Sequence, residues 1–233
     1  MGTVILLRHA RSEANNSGVL AGRTPNVGLD ATGRDQAAAL VERLAGVELA
    51  GLVHSPLLRC EQTVEPLARA RGIPPIVDDA LCEVDYGDWT GRELGALQQE
   101  ELWQAIQSRP SAVRFPSGER LSHVQHRAVE AVRGYDSKFA TADGSPPVWL
   151  LCSHGDVIKS ILADALGQHL DLFQRLVVDP ASISIVRYTE LRPFVLRLND
   201  SGDGLGAVLP TRGTGGTDAT VGGGAGPTDT GQE

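Results

Sequence analysis

No stretch of this 233-residue chain stays apolar for anything near the roughly 18 residues that a membrane helix needs, so no membrane association is expected. The opening MGTVILLR is too short for a secretory signal and lacks its basic start. Cysteine is scarce. Cys60, Cys82 and Cys152 are odd in number and form no C-x-x-C pair, so a disulfide framework is not expected and a reducing cytoplasm is the expected compartment. Positive charge is not in excess: the formal net charge of −8 argues against a nucleic-acid partner. It leaves room for a small cationic pocket, because a local field can oppose the global sign. No internal repeat is visible. What is present is the balance of a globular domain, with 41% hydrophobic and 21% charged residues, enough to bury a sizeable core.

Composition changes near Asn199. Residues 200–233 contain 11 glycines in 34 positions, no aromatic residue and no hydrophobic period. Such a segment cannot bury enough apolar area to offset its ordering entropy of about 1–2 kcal/mol per residue, and a disordered tail is expected. The expected domain is therefore 1–199. Within it, residues 3–8 (TVILLR) are a β-branched apolar run suited to a strand buried on both faces. Residues 32–45 place Ala37, Leu40, Val41 and Leu44 at helical spacing, and residues 51–55 read as a short strand. Pro56 fits the first position of a following helix, which Pro66 should kink or split. Residues 75–79 predict a strand, 93–108 and 119–141 helices, 148–153 a strand, and 156–166 a helix with Asp156 as its N-cap. Two late strands are expected at 182–188 and 194–198. Strands alternating with helices imply an α/β three-layer sandwich, a mainly parallel central sheet flanked by helices.

Three polar clusters share one position in that scheme. Arg8-His9 follows the first strand, Ser55-Pro56-Leu57-Leu58-Arg59 the second, and Ser153-His154-Gly155 the strand at 148–153. Ligands of open α/β sheets bind outside the carboxyl ends of the strands, so the three clusters can converge. Two arginines and two histidines, with Asn15 close behind, suit a phosphoryl group. Arginine's planar fork matches phosphate oxygens and keeps its charge. A histidine nitrogen can attack phosphorus, and the leaving alcohol then needs a proton from an acid of raised pKa.

The residues also carry a resemblance. RHARSEAN at 8–15 resembles the R-H-G-x-[ST]-x-x-N opening of the histidine phosphatase (phosphoglycerate-mutase-like) superfamily, and SPLLRCEQTV at 55–64 its S-P-L-x-R-x-x-x-T block. LCEVDYGDWTG at 81–91 is similar to the phosphatase-type L-x-E-x-x-x-G-x-W-x-G block, and SHGDVI at 153–158 to the late S-H-G block. All four occur in family order across about 3–198. The resemblance implies a metal-independent phosphomonoesterase without a cofactor, acting on a small phosphorylated substrate. It implies His9 as the nucleophile that becomes phosphohistidine, Arg8, Arg59 and His154 as the phosphate pocket, and Asn15 as its helper. It further implies Glu83 as general acid and base, and Gly22 in a substrate-contacting loop.

One departure is Ala10, where the family usually has glycine; a methyl at the pocket floor is expected to alter phosphate affinity or shift the ring. Two alternatives stay open: a phosphoglycerate-type mutase, and an impaired phosphate-binding module. Mutases of the family carry an E-R-H-Y-G-type block at the acid, and Glu83-Val84-Asp85-Tyr86-Gly87 lacks its Arg-His. FPSGERLSHV at 115–124 resembles the phosphatase branch's P-x-G-E-S block, with Arg120 in place of serine. The remaining candidates have plainer readings: His54 as a packed or surface residue, His123 and His126 as neighbours on a helix without a metal partner, and His169 in a surface loop. Trp89, Trp103, Trp149 and the cysteines read as core. The physiological substrate and the oligomeric state are not encoded in any recognisable pattern.

Overall fold

The structure, a computed structural model, describes residues 1–140, 145–204 and 220–222. The run at the N-terminus becomes β1 (Thr3–Arg8), buried from Val4 onward. There follow α1 (Glu13–Ser17), α2 (Ala31–Arg43), β2 (Leu52–His54), α3 (Leu58–Arg71), β3 (Ile76–Val77), α4 (Leu94–Leu97), α5 (Glu101–Ser108) and α6 (Leu121–Lys138). The chain continues through β4 (Val148–Ser153), α7 (Gly155–Ala165), β5 (Ile183–Arg187) and β6 (Phe194–Asp200).

The six strands form one sheet in the order β3-β2-β4-β1-β5-β6. The pairs β1–β4, β2–β4 and β2–β3 are parallel, and β5 runs antiparallel to both of its neighbours. Side-chain alternation along the strands sorts the core into two layers. Ile5, Leu7, Leu52, Leu150 and Cys152 face Leu40 of α2 and Cys60, Val64 and Leu67 of α3. Val4, Leu6, Val53, Trp149 and Leu151 face Val124 and Val132 of α6 and Ile158 and Ile161 of α7. The molecule is the expected three-layer sandwich. Trp89, Trp103 and Trp149 are core residues, and the three cysteines are buried free thiols. Among the described residues, no helix is long and apolar enough to cross a membrane.

Four local expectations change. Pro56 stands outside α3, where Ser55 Oγ accepts from the Leu57 amide at 3.4 Å; the helix starts at Leu58 with Leu57 as its N-cap. Pro66 does not split α3. The ring removes one donor, but Cys60, Val64 and Leu67 are buried on either side of it and hold the helix to the sheet. The helical region at 93–108 is two helices, α4 and α5. The N-cap of α7 is His154, not Asp156. The Asp156 carboxylate is buried in the first turn and accepts a hydrogen bond from Tyr86 Oη at 2.8 Å. Asp200 completes β6, and the expected disorder at 205–219 and 223–233 lies outside the described residues.

Gly33 of α2 shows how tightly the loop after β1 is packed. A Cβ built there would lie 1.9 Å from the Arg11 carbonyl oxygen. Glycine to alanine normally stabilises a helix interior by up to about 1 kcal/mol. Here the sign should reverse: urea denaturation of Gly33→Ala is expected to show a loss of about 1–3 kcal/mol, the usual cost of overpacking. A gain would show that the loop after β1 yields freely.

Candidate active site

The three polar clusters meet because β1, β2 and β4 are parallel neighbours whose ends align: Arg8 pairs with Ser153, and His54 with Cys152. Each chain direction therefore delivers its next residues to the same edge of the sheet. The His9 and His154 rings lie with centroids 5.2 Å apart. Arg59 Nη2 donates to His154 Nδ1 at 3.2 Å and to the Gly22 carbonyl at 2.8 Å. Its Nη1 is buried and has no hydrogen-bond partner among the described residues. Such an orphaned, charged donor is costly unless an anion can meet it. Arg8 is fully buried, with Nη1 on the Val178 carbonyl at 2.8 Å and Nη2 on the Gly222 carbonyl at 3.2 Å.

Hydrogen bonding assigns the histidine tautomers. His9 Nδ1 is 2.8 Å from the Ala10 carbonyl, which can only accept, so Nδ1 carries the proton and Nε2 the lone pair. His154 Nδ1 accepts from Arg59, so Nε2 donates to Ser55 Oγ at 2.7 Å. Burial, then the charges of Arg59 and Arg8, hold the His9 pKa well below the usual histidine value. Burial and Arg59 do the same for His154. Both rings are therefore neutral near pH 7.

Glu83 is buried beside them. Its Oε1 accepts from the Val84 amide at 2.9 Å, and Oε2 lies 3.8 Å from His154 Nδ1. Its main-chain carbonyl is held by Arg23 Nε at 2.8 Å and Arg127 Nη2 at 3.2 Å. Burial, with the Asp156 charge behind it, raises the Glu83 carboxyl to about 7, against the attraction of Arg59. At neutral pH this carboxyl can give or take a proton.

Asn15 and Gly22 both line the cavity with His9, Arg59 and Glu83. Asn15 Oδ1 accepts from the Ser12 amide at 3.0 Å and Ser12 Oγ at 2.8 Å, closing a capping box on α1. Gly22 has φ +51°, and a Cβ there would lie 2.8 Å from Thr90 Oγ1, so glycine fits where its carbonyl must face Arg59. Several supporting residues were given no role of their own in the sequence reading. Thr63 Oγ1 donates to the Arg59 carbonyl at 2.6 Å and accepts from the Ala10 amide at 2.9 Å, tying α3 to the loop of His9. Ser153 Oγ donates to the Leu81 carbonyl at 2.7 Å, tying β4 to the loop of Glu83. Thr63 is the closing residue of the second sequence block, and that position was its only signal. Val221 and Gly222, which also line the cavity, gave none. Among the described residues, no three His, Cys, Asp or Glu side chains are grouped to hold a metal ion.

The profile of the histidine phosphatase superfamily (branch 1) matches residues 4–201. This chain belongs to that superfamily. Phosphoserine phosphatase 1 of Hydrogenobacter thermophilus is 29% identical over 201 residues, covering 85% of this chain and 92% of that protein. The "Probable phosphoglycerate mutase GpmB" of Proteus mirabilis is 33% identical over 188 residues, covering 79% and 84%. Of other curated relatives, from mycobacteria, the chain spans 50% of the length. Among solved structures, the alpha-ribazole phosphatase of Shigella flexneri superposes with a TM-score of 0.74 at 25% identity, covering 87% of this chain and 98% of that one.

Ala10, the departure from the superfamily's pattern, is fully buried in an apolar cluster with Leu29, Ala37 and Ala181. It is also absent from the described non-glycine residues with positive φ, so no left-handed backbone demands glycine there. The extra methyl belongs to that apolar cluster.

The Glu83 shift has a consequence for stability. The folded pKa, about 7, exceeds the ordinary 4.5. Between those values the native state binds more protons than the unfolded chain, so Glu83 makes stability fall as pH rises through that window. Thermal melts at about pH 5 and pH 8 should show a smaller pH-dependent loss for Glu83→Gln than for the wild type, by on the order of 3 kcal/mol. Equal losses would place the carboxyl in an ordinary solvated environment.

Proposed function

We propose that this protein is a metal-independent phosphomonoester hydrolase working through a phosphohistidine on His9. The observation that carries the reading is a neutral histidine with a free Nε2 lone pair beside two buried guanidinium groups, next to a carboxyl titrating at about 7. The guanidinium groups have two effects. They gather the phosphate dianion, and they add to the burial that holds His9 unprotonated, so it stays a nucleophile at the pH where phosphate is fully charged.

The steps balance. His9 Nε2 bonds to phosphorus while the P–O bond to the alcohol breaks, and the leaving oxygen takes the Glu83 proton. Arg8, Arg59 and His154 meet the charge that spreads over the equatorial oxygens. The Glu83 carboxylate then takes a proton from water. The resulting hydroxide displaces His9 from phosphorus and releases inorganic phosphate.

Hydrolysis is favoured over mutase chemistry by the block after the acid. Val84, standing where that chemistry calls for a cationic grip, is fully buried in the core. A mutase would instead interconvert phosphoglycerates under stimulation by the bisphosphate. Arg120 is exposed on a separate cavity with Arg23, Arg114 and His123, and that cavity does not include His9. The substrate class is a small phosphorylated molecule.

Release of phosphate from p-nitrophenyl phosphate should proceed without added metal and in the presence of a chelator. His9→Ala should abolish it, by more than about a thousandfold, as when a nucleophile that acts within a unit is removed. A strict requirement for Mg²⁺ would contradict the mechanism. For the same substrate, kcat/KM should fall as pH rises above about 7, where Glu83 loses its proton. Glu83→Gln should remove that alkaline limb and slow poor leaving groups most; normal turnover of a poor leaving group would assign the acid elsewhere.

A further inference from the structure

Val221 and Gly222 lie beyond the last strand in sequence, yet they reach the site. Val221 is 1% exposed and packs in the core cluster that holds Leu20 and Tyr86. Gly222 is clipped through both of its backbone groups. Its N–H donates to Asp156 Oδ2 at 3.0 Å, and its carbonyl accepts from Arg8 Nη2 at 3.2 Å. Its φ is +77°, and a Cβ there would lie 3.0 Å from Leu20 Cδ1, so the clip suits glycine. The short segment is thus fixed to one residue of the phosphate pocket and to the carboxylate nearest Tyr86.

Val221 and Gly222 line the same cavity as His9, Arg59 and Glu83. That cavity is small, about 40 Å³, against the roughly 300–1,000 Å³ of pockets that take drug-sized ligands. Its polar side is committed to a phosphoryl group by His9 and Arg59. Valine has no donor to offer phosphate, so what remains for the alcohol portion is the apolar side, where Val221 stands with Val19, Leu20, Leu94 and the smaller Ala14 and Ala21.

We propose that Val221, held in place by Gly222, is a specificity-determining wall of the site, restricting it to phosphomonoesters of compact alcohols. This rests on the phosphatase reading above. The wall acts by size: one methylene in an apolar pocket discriminates about 10–200-fold, and Val221→Ala removes two methyl groups.

The test is the affinity of the full chain for phenylphosphonate and for the larger 1-naphthylphosphonate, neither of which is hydrolysed, measured by calorimetry. The ratio of naphthyl to phenyl affinity should rise about tenfold or more in Val221→Ala. It should rise in the same direction in Gly222→Ala, whose Cβ unseats the clip. Because both ligands are measured on one sample, the ratio is insensitive to the folded fraction. An unchanged ratio, an equal loss or gain for both ligands, or binding of neither overturns the proposal. Turnover of phenyl phosphate that depends on His9 reports separately on the hydrolytic reading. Its failure with the ratio intact removes the chemistry and leaves the wall.

Discussion

The molecule depends on keeping two guanidinium groups dry at the carboxyl edge of a parallel sheet. Arg8 and Arg59 are 0% and 2% exposed, and burying a charge without compensation costs several kcal/mol. Carbonyl oxygens take part of that load, Val178 and Gly222 for Arg8 and Gly22 for Arg59, and the charges of Glu83, Asp179 and Asp156 support Arg8 from further off. The two guanidinium groups together set a positive field that reaches both histidine rings.

The other features of the site follow from that field. Burial first, and that field second, keep His9 and His154 neutral, and the short bonds of Nδ1 and Nε2 to Ala10 and Ser55 then fix which nitrogen carries the lone pair. Glu83 sits in the same dry region, where burial outweighs the arginines and Asp156 adds repulsion, so it holds its proton to about 7. A neutral base and a neutral acid therefore coexist within a cationic cup. Thr63 and Ser153 hold the loops that carry them, through hydrogen bonds across 53 and 72 residues of sequence.

The fold was legible in the sequence where hydrophobic pattern and chain direction agree. TVILLR and VWLLCS could only be buried strands, and the motif ends they deliver had to share an edge. Local breaks were less legible. Pro66 reads as an interruption because the sequence does not display the burial of Cys60, Val64 and Leu67 that holds α3 together. Asp156 reads as a cap because its pairing with Tyr86, 70 residues away, is a tertiary fact. The packing of Ala10 was hidden for the same reason: its neighbours Leu29, Ala37 and Ala181 come from distant segments. Val221 and Gly222 sit in a glycine-rich stretch whose composition predicts no burial at all.

The central claim is that His9 Nε2 takes the phosphoryl group onto itself. It is tested most directly by rapid denaturation of the protein during turnover of p-nitrophenyl phosphate, followed by peptide mapping under alkaline conditions. An acid-labile, alkali-stable phosphoryl group on the peptide carrying His9, enriched in Glu83→Gln, is the predicted result. A phosphoryl group on any other residue, or turnover with no covalent adduct in either protein, would contradict it.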